Sequence, residues 1–366
     1  MIVVVKMGTS SVTDADGSVD EAAIEKLCRE VADLKVVGHQ VVIVTSGAIT
    51  AGLPALAKLG MGRDRPTDLA TLQAIAAVGQ IRLMRVYNDV LERQGLAAGQ
   101  VLLAPLDFTH RQQYLHARQT LARLLELGVV PVVNENDAVA DDEIRFGDND
   151  RLAALVAHLV GADLLVLLTD TTGLLSADPR LDSQASLIEE VIEIDHQLEA
   201  VAGGPGSARG SGGMASKLAA ARIAAWSGVA VIIAAAARPG VLAGAVAGEV
   251  GVGTAVRAHD RHLSARKLWI AFAIGASGTL VVDAGARAAL SERGSSLLPA
   301  GVVGVRGDFS ADQAVEIEGP DGTVFAKGLV RHPSHQVARW IGRRTSDLPG
   351  EGVTEIVHRD NMVTLT

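Results

Sequence analysis

Two lysines far apart in the chain stand among small residues that suit the binding of phosphate. Lys6 follows an apolar run at residues 2–5 and leads into Met7, Gly8, Thr9 and Ser10. Lys217 closes a stretch in which Gly203, Gly204, Gly206, Gly210, Ser211, Gly212 and Gly213 run through Met214, Ala215 and Ser216. A second small turn, Thr45-Ser46-Gly47-Ala48, follows the apolar run at 41–44. Glycine turns let backbone N–H groups approach an anion closely, and a helix that follows adds the positive end of its dipole. Each feature alone reads as an ordinary strand-to-helix turn or a surface loop. Together they supply the point charges and N–H donors of a site that closes over phosphates.

Acid and amide groups gather in the same manner. Asn134-Glu135-Asn136-Asp137 follows the run at 129–133, and Gly147-Asp148-Asn149-Asp150 opens a helical stretch. Capping a helix accounts for one Asp or Asn, not for two clusters. The surplus suits recognition of the ammonium and carboxylate of an amino acid, and electrostatic ordering of nearby lysines. Thr169-Asp170, followed by Gly173, Asp178, Pro179 and Arg180, reads by itself as a turn. Neither G-x-x-x-x-G-K-[ST] nor G-x-G-x-x-G occurs, so the site is not a P-loop or a dinucleotide fingerprint. Phosphoryl transfer asks for aligned substrates and neutralised charge rather than covalent help, which two lysines, two glycine turns and a magnesium ion can provide.

The elements that must position these groups are legible from periodicity. Apolar runs rich in β-branched residues at 2–5, 41–44, 101–103, 129–133, 164–168 and 229–233 predict strands. Helical spacing at 22–37, 69–94, 112–127, 151–159 and 217–226 separates them, and several of these stretches end in glycine: Gly38, Gly95, Gly128 and Gly228. Strand and helix in alternation predict an α/β fold, a largely parallel open sheet sandwiched by helices. Ligands of such sheets bind outside the carboxyl ends of the strands, where the clusters above fall.

At 366 residues the chain is long for one core and suits two domains. Hydrophobic residues at 48% with aromatics at only 3% predict a core of Ala, Val, Leu and Ile. Residues 1–258 are expected to form the catalytic domain, 259–274 a polar linker, and 275–366 a small β-rich domain with strands near 279–282, 301–305, 314–317 and 323–326. Cys28 is the single cysteine, which excludes an internal disulfide and fits a reducing cytoplasm. The sequence has no apolar run long enough to span a membrane and no signal-peptide pattern at its start. A net charge of −9 disfavours nucleic acid as a general partner.

With these motifs in order, the chain resembles the glutamate 5-kinase branch of the amino acid kinase family. The residues that carry the resemblance are Val4 to Ser10, Val44 to Ala48, Asn134 to Asp137, Gly147 to Asp150, Thr169-Asp170, Ala177 to Arg180 and Gly212 to Lys217. The tail resembles a PUA domain, a small β-barrel-like module, through Glu292 to Pro299 and Gly307-Asp308-Phe309. The resemblance implies ATP and Mg2+, glutamate as phosphoryl acceptor, and glutamyl 5-phosphate as product at the start of proline biosynthesis.

Carried over by position, Lys6, Lys217 and Asp150 form the catalytic set. Ser46, Gly47, Asn134, Asp137 and Asn149 form the glutamate site. Gly8, Thr169, Asp170 and Ser211 through Lys217, that is Gly212, Gly213, Met214, Ala215 and Ser216 with both lysines, form the nucleotide site. Magnesium is held mainly by ATP phosphates. A homo-oligomer, dimer or tetramer, and proline as feedback inhibitor are implied in the same way. Another carboxylate kinase of this fold, acting on acetylglutamate, aspartate or carbamate, or a UMP kinase, is the nearer alternative, and an RNA-binding protein the more distant. The tail from 275 carries 9 Lys and Arg against 11 Asp and Glu, which does not favour RNA. The chain departs from the family pattern in three places: Ala236 in place of a usual Gly, Ser216 in place of a usual Thr, and the stretch Arg331-His332-Pro333-Ser334.

Overall fold

A computed structural model describes the chain except for residues 15–16, 58–65, 109, 140–148, 178–181, 183, 195–197, 199–212, 260–262, 349–354 and 366. The chain forms two compact units, Met1–His262 and Leu263–Thr366.

The first unit is built on β1 (Ile2–Met7), β2 (Gln40–Val44), β3 (Ala98–Leu103), β4 (Val130–Glu135), β5 (Leu164–Thr169), β6 (Glu190–Val191), β7 (Ala230–Ala235) and β8 (Thr254–Val256). Among the described residues these make one sheet in the order β3-β4-β2-β1-β5-β7-β8-β6. The six longer strands run parallel, whereas β8 pairs antiparallel with β7 and β6 follows β8. Val3, Val4 and Val5 are all fully buried, as a strand covered on both faces requires. The covering helices are α1 (Thr9–Val12), α2 (Glu21–Val36), α3 (Ala48–Ala57), α4 (Leu69–Arg93), α5 (Arg111–Glu126), α6 (Asn149–Val160), α7 (Met214–Ala225) and α8 (Val241–Ala247).

The sheet order places a switch at its centre. From β1 the chain moves to β2 on one side, and β5 joins β1 on the other. The turns leaving β1, β2 and β5 therefore diverge around a crevice at the carboxyl edge, the place where open α/β sheets hold ligands.

One helix pair matters for that crevice. The side chain of Asp68 caps α4 by accepting from Thr71 N at 2.9 Å. Its buried stripe reads Leu72, Ile75, Ala76, Gly79, Gln80, Leu83, Tyr87, Val90 and Leu91, the spacing of an apolar face, with two polar members. It meets α3 backbone to backbone: a Cβ at Gly79 would lie 1.8 Å from Ala48 O, and one at Gly52 would lie 2.2 Å from Ile75 O. Only glycine permits that approach.

The second unit carries β9 (Gly278–Val282), β10 (Val302–Gly307), β11 (Ala314–Glu318), β12 (Val324–Val330) and β13 (Val357–Thr364), in the sheet order β10-β9-β11-β12-β13. Leu280, Val282, Leu290, Val315, Ile317 and Phe325 fill its core. Much of the stretch expected as a linker is helical, with α9 (Ala265–Leu268) followed by a π-helical turn at Trp269–Ala273. The reason is local: Ile270 and Ala271 pack with Ala314, Leu329 and Val363. Buried Lys327 donates to the Ile274 carbonyl and, at 3.5 Å, to that of Ala271, pairing a cation with the negative end of the turn. Helices α10 (Ala284–Arg293) and α11 (Ser334–Trp340) complete the unit. No helix among the described residues is long and apolar enough to cross a membrane.

Candidate active site

Three charged residues from three elements meet inside the first unit. Lys6 near the end of β1, Asp150 in the first turn of α6 and Lys217 in the first turn of α7 are 2%, 0% and 5% exposed. Lys6 Nζ lies 2.6 Å from Asp150 Oδ1, and Lys217 Nζ lies 3.1 Å from Asp150 Oδ2. One carboxylate thus takes an ammonium group on each oxygen. The start of α6 favours a negative charge at Asp150, and burial strengthens both attractions while making each ion costly to desolvate. Cations fixed this way can stabilise an anionic group without reorganising.

Small residues surround the triad. A Cβ at Gly8 would lie 3.3 Å from Lys6 Nζ, so glycine keeps the space beside the ammonium open. Thr9 Oγ1 and Ser46 Oγ are 2.9 Å apart, tying the turn after β1 to the turn after β2. Gly47 has φ +94, and a side chain there would also press Val12 at 2.9 Å, so the residue must be glycine twice over. Ser216 Oγ donates to Asp150 Oδ2 at 3.4 Å, a role open to the hydroxyl of either Ser or Thr. Gly213 caps α7. Met214 and Ser216 are half-buried, and Ala215 is exposed.

Behind the triad runs a chain of buried amides. Asn149 Nδ2 donates to the Thr45 carbonyl at 2.5 Å and to Asn134 Oδ1 at 2.6 Å. Asn134 Oδ1 also accepts from Glu135 N at 2.9 Å, and Asn134 Nδ2 donates to Gln80 Oε1 at 2.7 Å. Thr45 Oγ1 meets Tyr87 OH at 3.0 Å, both residues fully buried. Gln80 Nε2 is buried with no partner among the described residues. An orphaned donor of that kind costs about 1–3 kcal/mol, so Gln80 is not explained by stability.

The remaining candidates fall around this centre. Asp137 sits half-buried in the turn after β4. Thr169, 7% exposed, ends β5 and donates through Oγ1 to Asp170 Oδ1 at 3.1 Å, while its carbonyl accepts from Ala236 N at 2.8 Å. Ala236 does not use a left-handed backbone: Asp312 is the one described non-glycine residue at positive φ. Ser211, Gly212 and Asp148 lie outside the described residues. Gln80 and Tyr87, from α4, were not anticipated. The available signal was a glutamine at an apolar-face position of the predicted helix at 69–94. No group of three or more His, Cys, Asp and Glu able to hold a metal ion occurs among the described residues.

Known proteins share this arrangement of sequence. The amino acid kinase family profile matches residues 1–235, and the PUA domain profile matches 278–349. The glutamate 5-kinase of Herpetosiphon aurantiacus is 46% identical over 99% of this chain and 98% of its own. Those of Moorella thermoacetica and Nocardia farcinica are 45% and 46% identical, each over 99% of this chain and 96% of theirs. On the strength of matches that run the length of both units, the chain belongs to the amino acid kinase family, within its glutamate 5-kinase group.

Proposed function

We propose that this protein transfers the γ-phosphoryl group of ATP to the γ-carboxylate of L-glutamate, giving glutamyl 5-phosphate and ADP, the opening step of proline biosynthesis. The observation that carries the reading is the pair of buried lysines held on Asp150 at 2.6 and 3.1 Å. A γ-carboxylate oxygen attacks the γ-phosphorus in line, and the bond to the β–γ bridging oxygen breaks as ADP leaves. The carboxylate is already ionised at neutral pH, so no general base is needed. Lys6 and Lys217 neutralise charge on the transferring group, and Asp150 keeps both in place.

In the same reading Gly8 and Gly47 turn backbone N–H groups toward the phosphates. Ser46, Asn134, Asp137 and Asn149 bind glutamate. Thr169, Asp170 and residues 211–217 bind the nucleotide, which enters as its magnesium complex, the ion being part of the substrate. The cytoplasm as compartment, self-association as a dimer or tetramer, and inhibition by proline belong to this reading too. Sizing in solution and a proline titration of activity check the last two. The second unit serves structure or regulation. RNA binding with a steep salt dependence would overturn that assignment.

The deciding assay couples ADP release to a spectrophotometric readout with glutamate, N-acetylglutamate, aspartate, carbamate and UMP offered in turn. Turnover is expected with glutamate. Strong turnover with N-acetylglutamate and none with glutamate would refute the assignment.

A further inference from the structure

The amide chain behind the lysines has a direction, and two backbone groups impose it. The Thr45 carbonyl can only accept, so Asn149 must turn Nδ2 toward it. The Glu135 N–H can only donate, so Asn134 must turn Oδ1 toward it. That oxygen also takes a hydrogen from Asn149 Nδ2, which leaves Asn134 Nδ2 facing Gln80 and requires Gln80 to answer with Oε1. With Nδ2 of Asn149 engaged twice, its remaining function is Oδ1, and no hydrogen bond to Oδ1 occurs among the described residues.

We propose that Gln80 is a positioning residue of the amino-acid pocket: by holding the Asn134 amide it fixes Asn149 so that Oδ1 faces the substrate and accepts from its ammonium group. The inference rests on the glutamate reading above, with Asn149 in the pocket. It assigns Asn149 the ammonium rather than a carboxylate, because an amide oxygen repels carboxylate and accepts from N–H donors. Gln80 comes from α4, whose approach to α3 through Gly79 and Gly52 holds it in register one residue away. Its own Nε2 has no partner among the described residues, so the side chain is kept despite that loss, as expected of a group selected for what it orients.

Steady-state kinetics of Gln80→Met and Gln80→Glu test this. Glutarate, which has both carboxylates and no ammonium, serves as an inhibitor competing with glutamate. In Gln80→Met, Asn134 Nδ2 loses its acceptor, so the Asn134 amide is anchored by the Glu135 N–H alone and its hold on Asn149 slackens. The KM for glutamate should rise about tenfold, equivalent to about 1.4 kcal/mol. The Ki for glutarate and the KM for ATP should stay within about twofold, a split that general loosening would not produce. Gln80→Glu keeps an oxygen for Asn134 Nδ2, so it should preserve the ratio of glutarate Ki to glutamate KM within about threefold.

Equal losses for glutamate and glutarate in Gln80→Met, or no loss for either, would overturn the proposal. So would collapse of the ratio in Gln80→Glu, which decides the matter alone if Gln80→Met does not fold. Absence of glutamate turnover in the unmodified protein is a separate failure: it sinks the functional reading, and the role of Gln80 with it.

Discussion

Replacing Asp150 with Asn changes one atom and removes the charge that two buried lysines share. At an effective dielectric constant of about 20, contacts of 2.6 and 3.1 Å correspond to gross attractions of about 6 and about 5 kcal/mol. Desolvation of three ions offsets much of this, so the useful figure is the penalty for removing one partner of a buried pair, about 3–5 kcal/mol. An amide makes matters worse for one lysine, since it offers an oxygen to one ammonium and an N–H donor to the other. With roughly 2–4 °C of Tm per kcal/mol for a unit this size, the expected fall is about 6–20 °C.

Activity should fall by about 10² to 10³ in kcat, the scale for loss of a preorganised charge array. ATP supplies the sign test: on the proposed reading its phosphates face both lysines, whose charge is uncompensated in the variant, so magnesium ATP should raise the variant's Tm more than the parent's. Differential scanning fluorimetry with and without nucleotide, alongside the ADP-release assay, measures all three quantities. A variant whose Tm lies within about 1 °C of the parent and which retains its kcat would mean that Asp150 does not organise the lysines.

Four other outcomes follow from the geometry. Lys217→Ala should lower kcat about 10²-fold or more with the chain still folded by circular dichroism, since one charge-stabilising donor is gone. Asp137→Ala should raise the KM for glutamate about ten- to hundredfold in initial-rate measurements while sparing the KM for ATP. Gly79→Ala should lower Tm by about 2–12 °C, because its methyl group would lie 1.8 Å from Ala48 O and overpacking costs about 1–3 kcal/mol. His332, stacked edge-on against Trp340 at 4.8 Å, has its pKa lowered by burial and by Arg331. The folded state resists a proton that the unfolded state accepts below about pH 6.5, so its contribution is complete above that pH and is lost as pH falls through the lowered value. Urea unfolding of parent and His332→Gln from about pH 7.5 to 5 should show the shallower loss in the variant.

How much of this could be read from sequence depended on what each residue faces. Parallel strands buried on both faces spell themselves as apolar runs, so β1, β2, β4, β5 and β7 were plain from their valines and leucines. Their polar ends were not: Lys6, Asn134, Glu135 and Thr169 lie within strands rather than after them, paired in the ladder with Val44, Leu102, Leu103 and Ala235. Strand β13, Val-His-Arg-Asp-Asn-Met-Val-Thr, has too few apolar residues to stand out, and the two residues of β6 and three of β8 are too short. At the site, the lysines and Asp150 drew notice as charges beside glycines. Gln80 and Tyr87 did not, because on a helix surface pattern a polar residue on the apolar face is unremarkable until its partner, Asn134 or Thr45, arrives from a distant part of the chain.

The bare-backbone crossing of α3 and α4 sets a limit on how this enzyme can change. Ordinarily a pocket is widened by trimming a side chain wedged between two helices, but at Gly52 and Gly79 there is nothing left to trim. The loop carrying Ser46 and the helix carrying Gln80 therefore travel as one piece. On the proposed reading, a bulkier acceptor must find its room away from this crossing, for example at the half-buried turn that holds Asp137.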